Sequence, residues 1–289
     1  MRYEAPTSVE AAIELLASGK GNARALAGGT DVLVQMQLDV IEPELLVDIK
    51  NIAELRQIEK LDDGYHFGAA VTGVELMDHE DFCSTWPGVM DGVKLIGSLQ
   101  VRGRATVAGN VCNASPAADS VPALIAAGAI ATIAGPNGRR DIPVEDIGIG
   151  PGNTSLVTGE ILVSFFLAKA RPNSGGAYLR FTPRTEMDIA VVGVGIDLTL
   201  DDDGICTHAR VALGAVAEKA LLVEEAAATL IGTRVDEPAL DNLAAAASAA
   251  CRPIDDKRGT KEYRIEVAGV LARRAATTAL NRAKSAGKK

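Results

Sequence analysis

Thr106-Val107-Ala108-Gly109-Asn110-Val111-Cys112-Asn113-Ala114-Ser115-Pro116-Ala117-Ala118-Asp119-Ser120 is built almost wholly from small and polar residues. It is too rich in turn formers for a strand and too irregular for a helix, so it reads as a turn that faces a ligand. Thr106 brings a hydroxyl and Gly109 a backbone without a side chain. Asn110, Asn113 and Ser115 add neutral hydrogen-bonding groups, and Asp119 is an acceptor-only carboxylate suited to ribose or sugar-alcohol hydroxyls. Asp119 has a second reading, as N-cap of a helix over Pro122 to Ala127 with Pro in the tolerated first turn; the two roles are compatible.

On the N-terminal side, a second glycine turn matches it. Ala23 to Leu26 reads as a short strand that runs into Ala27-Gly28-Gly29-Thr30-Asp31, then a short helical stretch from Val32, then a buried strand at Leu45 to Ile49. Gly28 and Gly29 remove the Cβ atoms that would keep a ligand away, and successive backbone N–H groups with the Thr30 hydroxyl can donate to phosphate oxygens. Taken alone, this tetrad reads equally well as a turn into a helix N-cap. A Thr-x-x-Glu box at Thr7 and Glu10 starts an earlier amphipathic helix that Gly19 ends, which completes an α/β lobe over residues 1–57.

Residues 58–175 form a second lobe. It has a strand at Tyr65 to Ala70, a capping box at Thr72 and Glu75, and a helix over Pro87 to Ile96. Strands follow at Ala129 to Ala134, Arg140 to Val144 and Ile161 to Ala168. Residues 176–289 read as a separate domain. Its strands at Ala177 to Phe181, Ala190 to Leu200 and Thr207 to Ala215 make a three-stranded antiparallel sheet, with alanine-rich helices at about 222–231, 237–250 and 262–285 and a frayed basic tail from Lys284 to Lys289. The fold class is α+β.

Composition narrows the partners. The net charge is −9, with Lys and Arg scattered, which argues against a nucleic-acid surface, so any phosphate must be gripped locally. No apolar run is long enough for a membrane span and none opens the chain as a signal peptide, so the expected location is cytoplasmic. Cys83, Cys112, Cys206 and Cys251 lie far apart and His66, His79 and His208 show no metal spacing, so structural roles are expected for all seven. Trp86, followed by Pro87, reads as a packing anchor. Neither a G-x-G-x-x-G fingerprint nor a G-x-x-x-x-G-K-[ST] loop is present.

Ala27-Gly28-Gly29-Thr30-Asp31, the run Gln100-Val101-Arg102-Gly103-Arg104-Ala105-Thr106-Val107-Ala108-Gly109-Asn110 through Asp119, and Tyr178-Leu179-Arg180-Phe181 with Arg184, Asp188, Ile189 and Ala190 occur in that order. Together with Pro253-Ile254-Asp255-Asp256-Lys257-Arg258-Gly259 they closely resemble the FAD-binding (medium) subunit of the molybdenum hydroxylases, the xanthine dehydrogenase and carbon monoxide dehydrogenase family. The resemblance spans essentially the whole chain. It implies an oxidoreductase subunit with a PCMH-type flavin fold in the first two lobes, FAD extended between them, and a C-terminal domain of the CO dehydrogenase flavoprotein type closing over the ring.

By that carry-over the pyrophosphate sits on Gly28, Gly29, Thr30 and Asp31 and on Thr106 and Gly109. Leu26, Ala27 and Val32 line the first turn, and Asn110, Asn113 and Ser115 flank the cofactor. Asp119 holds the sugar-alcohol chain, Leu162 and Ile189 pack near the ring, and Ile96 is a further cofactor-binding position. Arg180 stands where lysine is usual, and Ala108 replaces the first of two glycines, a change expected to force negative φ or cost about 1 kcal/mol of strain. The implied partners are a large molybdopterin-cofactor subunit and a small [2Fe-2S] subunit, in a dimer of heterotrimers. Electrons would pass from the clusters through FAD to quinone, NAD or another acceptor. The alternatives are a self-contained PCMH-type flavin oxidoreductase acting on a small molecule, and a non-catalytic assembly subunit.

Overall fold

The computed structural model describes residues 1–19 and 21–287. Its first unit is a three-stranded parallel sheet in the order Arg2–Glu4, Leu45–Asp48, Ala23–Leu26. All four residues of the central strand are buried, as befits a parallel strand covered on both faces. The helix Val9–Ser18 lays Val9, Ala12 and Leu16 on the sheet. Its cap is Ser8, whose hydroxyl accepts from Ala11 N, so the expected box at Thr7 and Glu10 is displaced by one residue. Both residue types cap well, and backbone geometry chooses between them.

The second unit is a five-stranded antiparallel sheet in the order Ile58–Leu61, Gly64–Gly68, Ile161–Ala168, Ile130–Gly135, Gly138–Pro143. On one face, Tyr65, Phe67 and Phe165 pack against Phe82, Met90, Val107, Val111 and Leu124 from the short helices. On the other, Ala134, Ile161 and Val163 share a core with Val9, Ala12 and Val47 of the first unit. Two lobes that share apolar core in this way hold the rims of the cleft between them in register. The capping box at Thr72 and Glu75 is present, and the helix at Pro87 ends at Val93.

One expectation fails where it matters most. Residues Val107–Cys112 are helical, not irregular. The Thr106 hydroxyl accepts from Gly109 N at 2.9 Å, and Val107, Ala108 and Val111 bury one face, so capping and tertiary burial override weak propensity.

The C-terminal sheet runs in the order Ser174–Phe181, Val192–Leu200, Cys206–Gly214, Leu221–Leu222. It has four strands where three were expected. The extra one, Leu221–Leu222, overlaps the start of the expected helical span by one residue, and the helix itself is Glu224–Ala228. One face packs Val194, Ile196 and Leu198 on the alanines of the helix Lys261–Ala286. Lys284 belongs to that helix, contrary to the frayed tail expected from there onward, and Lys288 and Lys289 lie outside the described residues. Near the helix start, Arg264 donates to Val191 O and pairs with Asp256, and Arg258 reaches Asp188.

The other face docks on the second lobe. A Cβ on Gly195 would lie 2.4 Å from Pro122 O, so bare backbone is what allows this approach. Asp91 of the lobe and Arg282 of the long helix pair through both carboxylate oxygens across the seam, at 2.5 and 3.1 Å.

Candidate cofactor site

The strand Ala23–Leu26 delivers Ala27 to Asp31 to the rim of the cleft, where the helix Val32–Gln37 begins. A Cβ on Gly28 would stand 2.1 Å from Arg104 O, so this glycine lets the backbone of the second lobe press on the turn; the expectation had been ligand approach alone. Gly29 has φ +77°, a conformation L side chains rarely adopt. The carbonyls of Gly29 and Asp31 accept from Leu33 N and Gln35 N in the helix. Among the described residues, the N–H groups of Gly28, Gly29, Thr30 and Asp31 donate to no protein acceptor. Such a turn is a set of unspent neutral donors.

Facing it, Thr106 caps the helix Val107–Cys112. The N–H groups of Val107 and Ala108, in the first turn of that helix, likewise have no protein acceptor among the described residues. Ala108 sits in this helix at negative φ, so replacing glycine there stores no backbone strain. Three side-chain bonds tie the turns together: Arg104 Nε to Gly28 O at 3.3 Å, Asn113 Nδ2 to Asp31 Oδ1 at 3.3 Å, and Gln35 Nε2 to Asn113 Oδ1 at 3.0 Å.

Between the turns lies a cleft of about 360 Å³, within the range of ligand sites. The run Leu26 to Val32, Ile96, Thr106, Gly109, Asn110, Asn113 and Leu162 all line it. So do residues that sequence reasoning missed: Arg24, Gln35, Leu156 and Ile161. A signal for two of them was available, because Arg24 is two residues from Leu26 on one strand and Ile161 adjoins Leu162. Among the described lining residues Arg24 is the only cation, so an anionic ligand here is met mainly by backbone. The lining Cys112 thiol is pushed up to about 12 by burial and stays protonated.

Four expected site residues do not line the cleft. Ser115 accepts from Ala117 N in a local turn. Ile189 is half exposed on the segment that follows Phe181. Asp119 precedes the helix Ser120–Ala126, yet its backbone is helical and its side chain makes no capping bond, which corrects the N-cap reading. Its carboxylate turns instead to the C-terminal domain, accepting from Tyr178 OH at 2.8 Å and pairing with Arg180 Nη1 at 2.6 Å. Burial pushes the Asp119 carboxyl up, while the Arg180 charge and the Tyr178 hydroxyl pull it back. Burial and the adjacent carboxylate raise Tyr178 well above its ordinary value, so it remains a donor.

Arg180 also donates to Leu95 O and Asp188 O, so this cluster abuts the end of the cleft at Ile96. Among the described residues no group of His, Cys, Asp and Glu could hold a metal. His79 Nδ1 accepts from Phe82 N as a helix cap, and His66 packs on Phe166.

Residues 1–169 match the family model described as the FAD binding domain in molybdopterin dehydrogenase, and residues 177–279 match that of the CO dehydrogenase flavoprotein C-terminal domain. The chain belongs to this family of FAD-binding oxidoreductase subunits. It is 33% identical to the carbon monoxide dehydrogenase medium chain of Afipia carboxidovorans, covering 98% of each, and 30% identical to a putative xanthine dehydrogenase FAD-binding subunit of Escherichia coli, covering 96% of this chain and 95% of that one. Among solved structures, a Cu,Mo-CO dehydrogenase in its cyanide-inactivated form has a chain that superposes with TM-score 0.94 at 33% identity over 98% of each chain. Quinoline 2-oxidoreductase from Pseudomonas putida 86 has one at TM-score 0.90 and 28% identity, covering 99% of this chain and 98% of that one.

The residues present suit the cofactor of this family. Two opposed sets of unspent amide donors match a pyrophosphate, and apolar Ile96, Leu156 and Leu162 match the edge of a ring system. Among the described residues no helix is long and apolar enough to cross a membrane.

Proposed function

We propose that this flavoprotein subunit holds FAD across the cleft and relays electrons from [2Fe-2S] clusters of a small partner subunit to quinone, NAD or another external acceptor. A large partner with a molybdenum cofactor would oxidise the substrate. The observation that carries the reading is the pair of facing turns whose backbone donors are unspent and whose lining, among the described residues, carries a single cation, Arg24.

In this reading residues 1–57 and 58–175 are the two halves of the cradle, and residues 176–289 are the closing domain. Gly28 to Asp31 and the helix start at Thr106 grip the pyrophosphate, with Gly109 leaving room beside it. Leu26, Ala27 and Val32 form the floor; Asn110, Asn113 and Ser115 flank the cofactor. Asp119 has two acceptor positions taken by Tyr178 and Arg180 and keeps others for a ribityl hydroxyl. Ile96, Leu162 and Ile189 exclude water from the ring, and Arg180 positions Asp119 and the segment carrying Ile189. FAD, when bound, supplies the exchange between one-electron and two-electron carriers. The relatives are named as medium chains and subunits, which supports a partner-dependent role; the assembly proposed is a cytoplasmic dimer of heterotrimers.

The test is purification of the chain alone and with its complex. Flavin absorbance bound to the chain, bleached only when substrate and both partner subunits are present, is the expected result. A chain without flavin absorbance overturns the reading. Turnover of a simple substrate by the chain alone supports a self-contained oxidoreductase instead, and full acceptor activity after flavin removal supports an assembly subunit.

A further inference from the structure

The strand Ser174–Phe181 carries Tyr178 and Arg180 toward the flavin cleft, and its other end opens on a second pair of cavities between the second lobe and the C-terminal domain. The outer is about 800 Å³ and the inner about 240 Å³; Trp86, Arg171 and Asp197 line both. Nothing in the flavin reading uses them.

The inner cavity is unusual for its unpartnered polar groups. Of its lining residues, Asp197 and His208 are half-buried and Lys169 and Arg171 are exposed at its mouth, and none of the four makes a side-chain hydrogen bond or ion pair among the described residues. Arg210 there is committed to Glu145 and Ile125 O, and Arg282 in the outer cavity to Asp91 and Gly176 O. Thr199 Oγ1 and Trp86 Nε1, on two further lining residues that are over nine-tenths buried, also lack partners. Buried polar groups in folded proteins are nearly always satisfied, so these two buried orphans, beside the half-buried and unpaired Asp197 and His208, point to a ligand that supplies the missing bonds.

The sign of that ligand follows from charge. Lys169, Arg171 and Arg210 surround a single carboxyl, Asp197, in a chain whose net charge is −9. Its size follows from the volume, which suits a small anionic group and not a nucleotide. We propose that the inner cavity is a binding site for a small oxyanion, a phosphate or a carboxylate, held by Arg171 and Lys169 with Thr199 and His208 as neutral hydrogen-bonding groups.

Asp197 gives the site a pH dependence. Burial raises its carboxyl to about 7 against the pull of Arg171 and Arg210. The charged or titratable groups around it are Lys169 and Arg171 before its neighbouring strand, His208 and Arg210 on the next, and Arg282 on the long helix with its partner Asp91. The helix Ser120–Ala126 brings none. Burial and the same two arginines lower His208, which is therefore neutral above pH 7. A protonated Asp197 donates to an oxyanion and an ionised one repels it, so affinity falls as pH rises through 7, by up to about tenfold between pH 6 and 8.

Titration calorimetry on the full chain carrying FAD tests this, with sulfate as tetrahedral probe, because its charge is constant over that range, acetate as carboxylate probe and chloride as control. Binding of sulfate, acetate or both, with chloride inert, is expected, and which one binds identifies the source chemistry. Arg171→Ala removes an exposed, unpaired side chain and should weaken binding at least about tenfold without lowering the melting temperature of the anion-free chain. Asp197→Asn should retain binding and lose its pH dependence. No binding of either probe below about 10 mM, or unchanged affinity in Arg171→Ala, overturns the proposal.

Discussion

The two interfaces of the second lobe are built on opposite plans. Toward the first lobe it offers backbone, small side chains and three side-chain hydrogen bonds, and amide donors on both rims, of Gly28 to Asp31 and of Val107 and Ala108, stay unspent. Toward the C-terminal domain it commits two carboxylates, with Asp119 bound to Arg180 and Tyr178 and Asp91 bound to Arg282, while Lys169 and Arg171 stay unpaired at the second cavity. The cleft that receives an anionic ligand keeps its donors open; where the lobe fixes the neighbouring domain, Asp119 and Asp91 are paired.

The contrast can be broken most forcefully at Arg180. Arg180→Leu leaves the Asp119 carboxylate buried beside Tyr178 alone and should cost about 3–5 kcal/mol in urea denaturation; a cost below about 1 kcal/mol would mean that buried charge does not hold that seam. On the other seam, Gly28→Ala drives a Cβ into the Arg104 carbonyl. It should cost about 2–3 kcal/mol and strip bound flavin, read as the flavin-to-protein absorbance ratio after gel filtration.

A titration sharpens the comparison next. The folded-state pKa of Asp197 lies above its unfolded value near 4, so its contribution to stability is complete at low pH and is lost as pH rises toward 7. Melting followed by denaturant should show about 2 kcal/mol lost between pH 5 and 7, and Asp197→Asn should abolish that part of the slope. Gly29→Ala, forced to positive φ, should cost about 1 kcal/mol and weaken FAD binding measured by fluorescence quenching. The smallest effect is at Ala108. Ala108→Gly should lower stability by under about 1 kcal/mol and leave FAD affinity unchanged, because alanine is already at ease in that helix.

How much of this was legible in the sequence depended on how local each cause is. The strands Val192–Leu200 and Cys206–Gly214 are long and apolar, and Thr72 with Glu75 is a self-contained cap; both kinds of signal sit within a few residues and were read correctly. The helix Val107–Cys112 was not, because what makes it helical is burial of Val107 and Val111 against residues far along the chain. Asp119 illustrates the same limit at the site. Its neighbours in sequence argue for a cap, but its partners lie about sixty residues away on another domain. Leu221–Leu222 is too short to announce itself as a strand. The second cavity was invisible, since Trp86, Arg171, Asp197 and His208 carry no motif and meet only in the fold.

The helix Lys261–Ala286 touches both of these worlds. Its 26 residues make a rod about 39 Å long. Arg264 pins one end to Asp256, two residues before the Arg258 that reaches Asp188 beside Ile189; Arg282 pins the other end at the outer cavity. A rod pinned at both ends fixes the distance between the segment of Asp188 and the Arg282–Asp91 pair, so neither can shift along the C-terminal sheet without the other's ion pairs giving way.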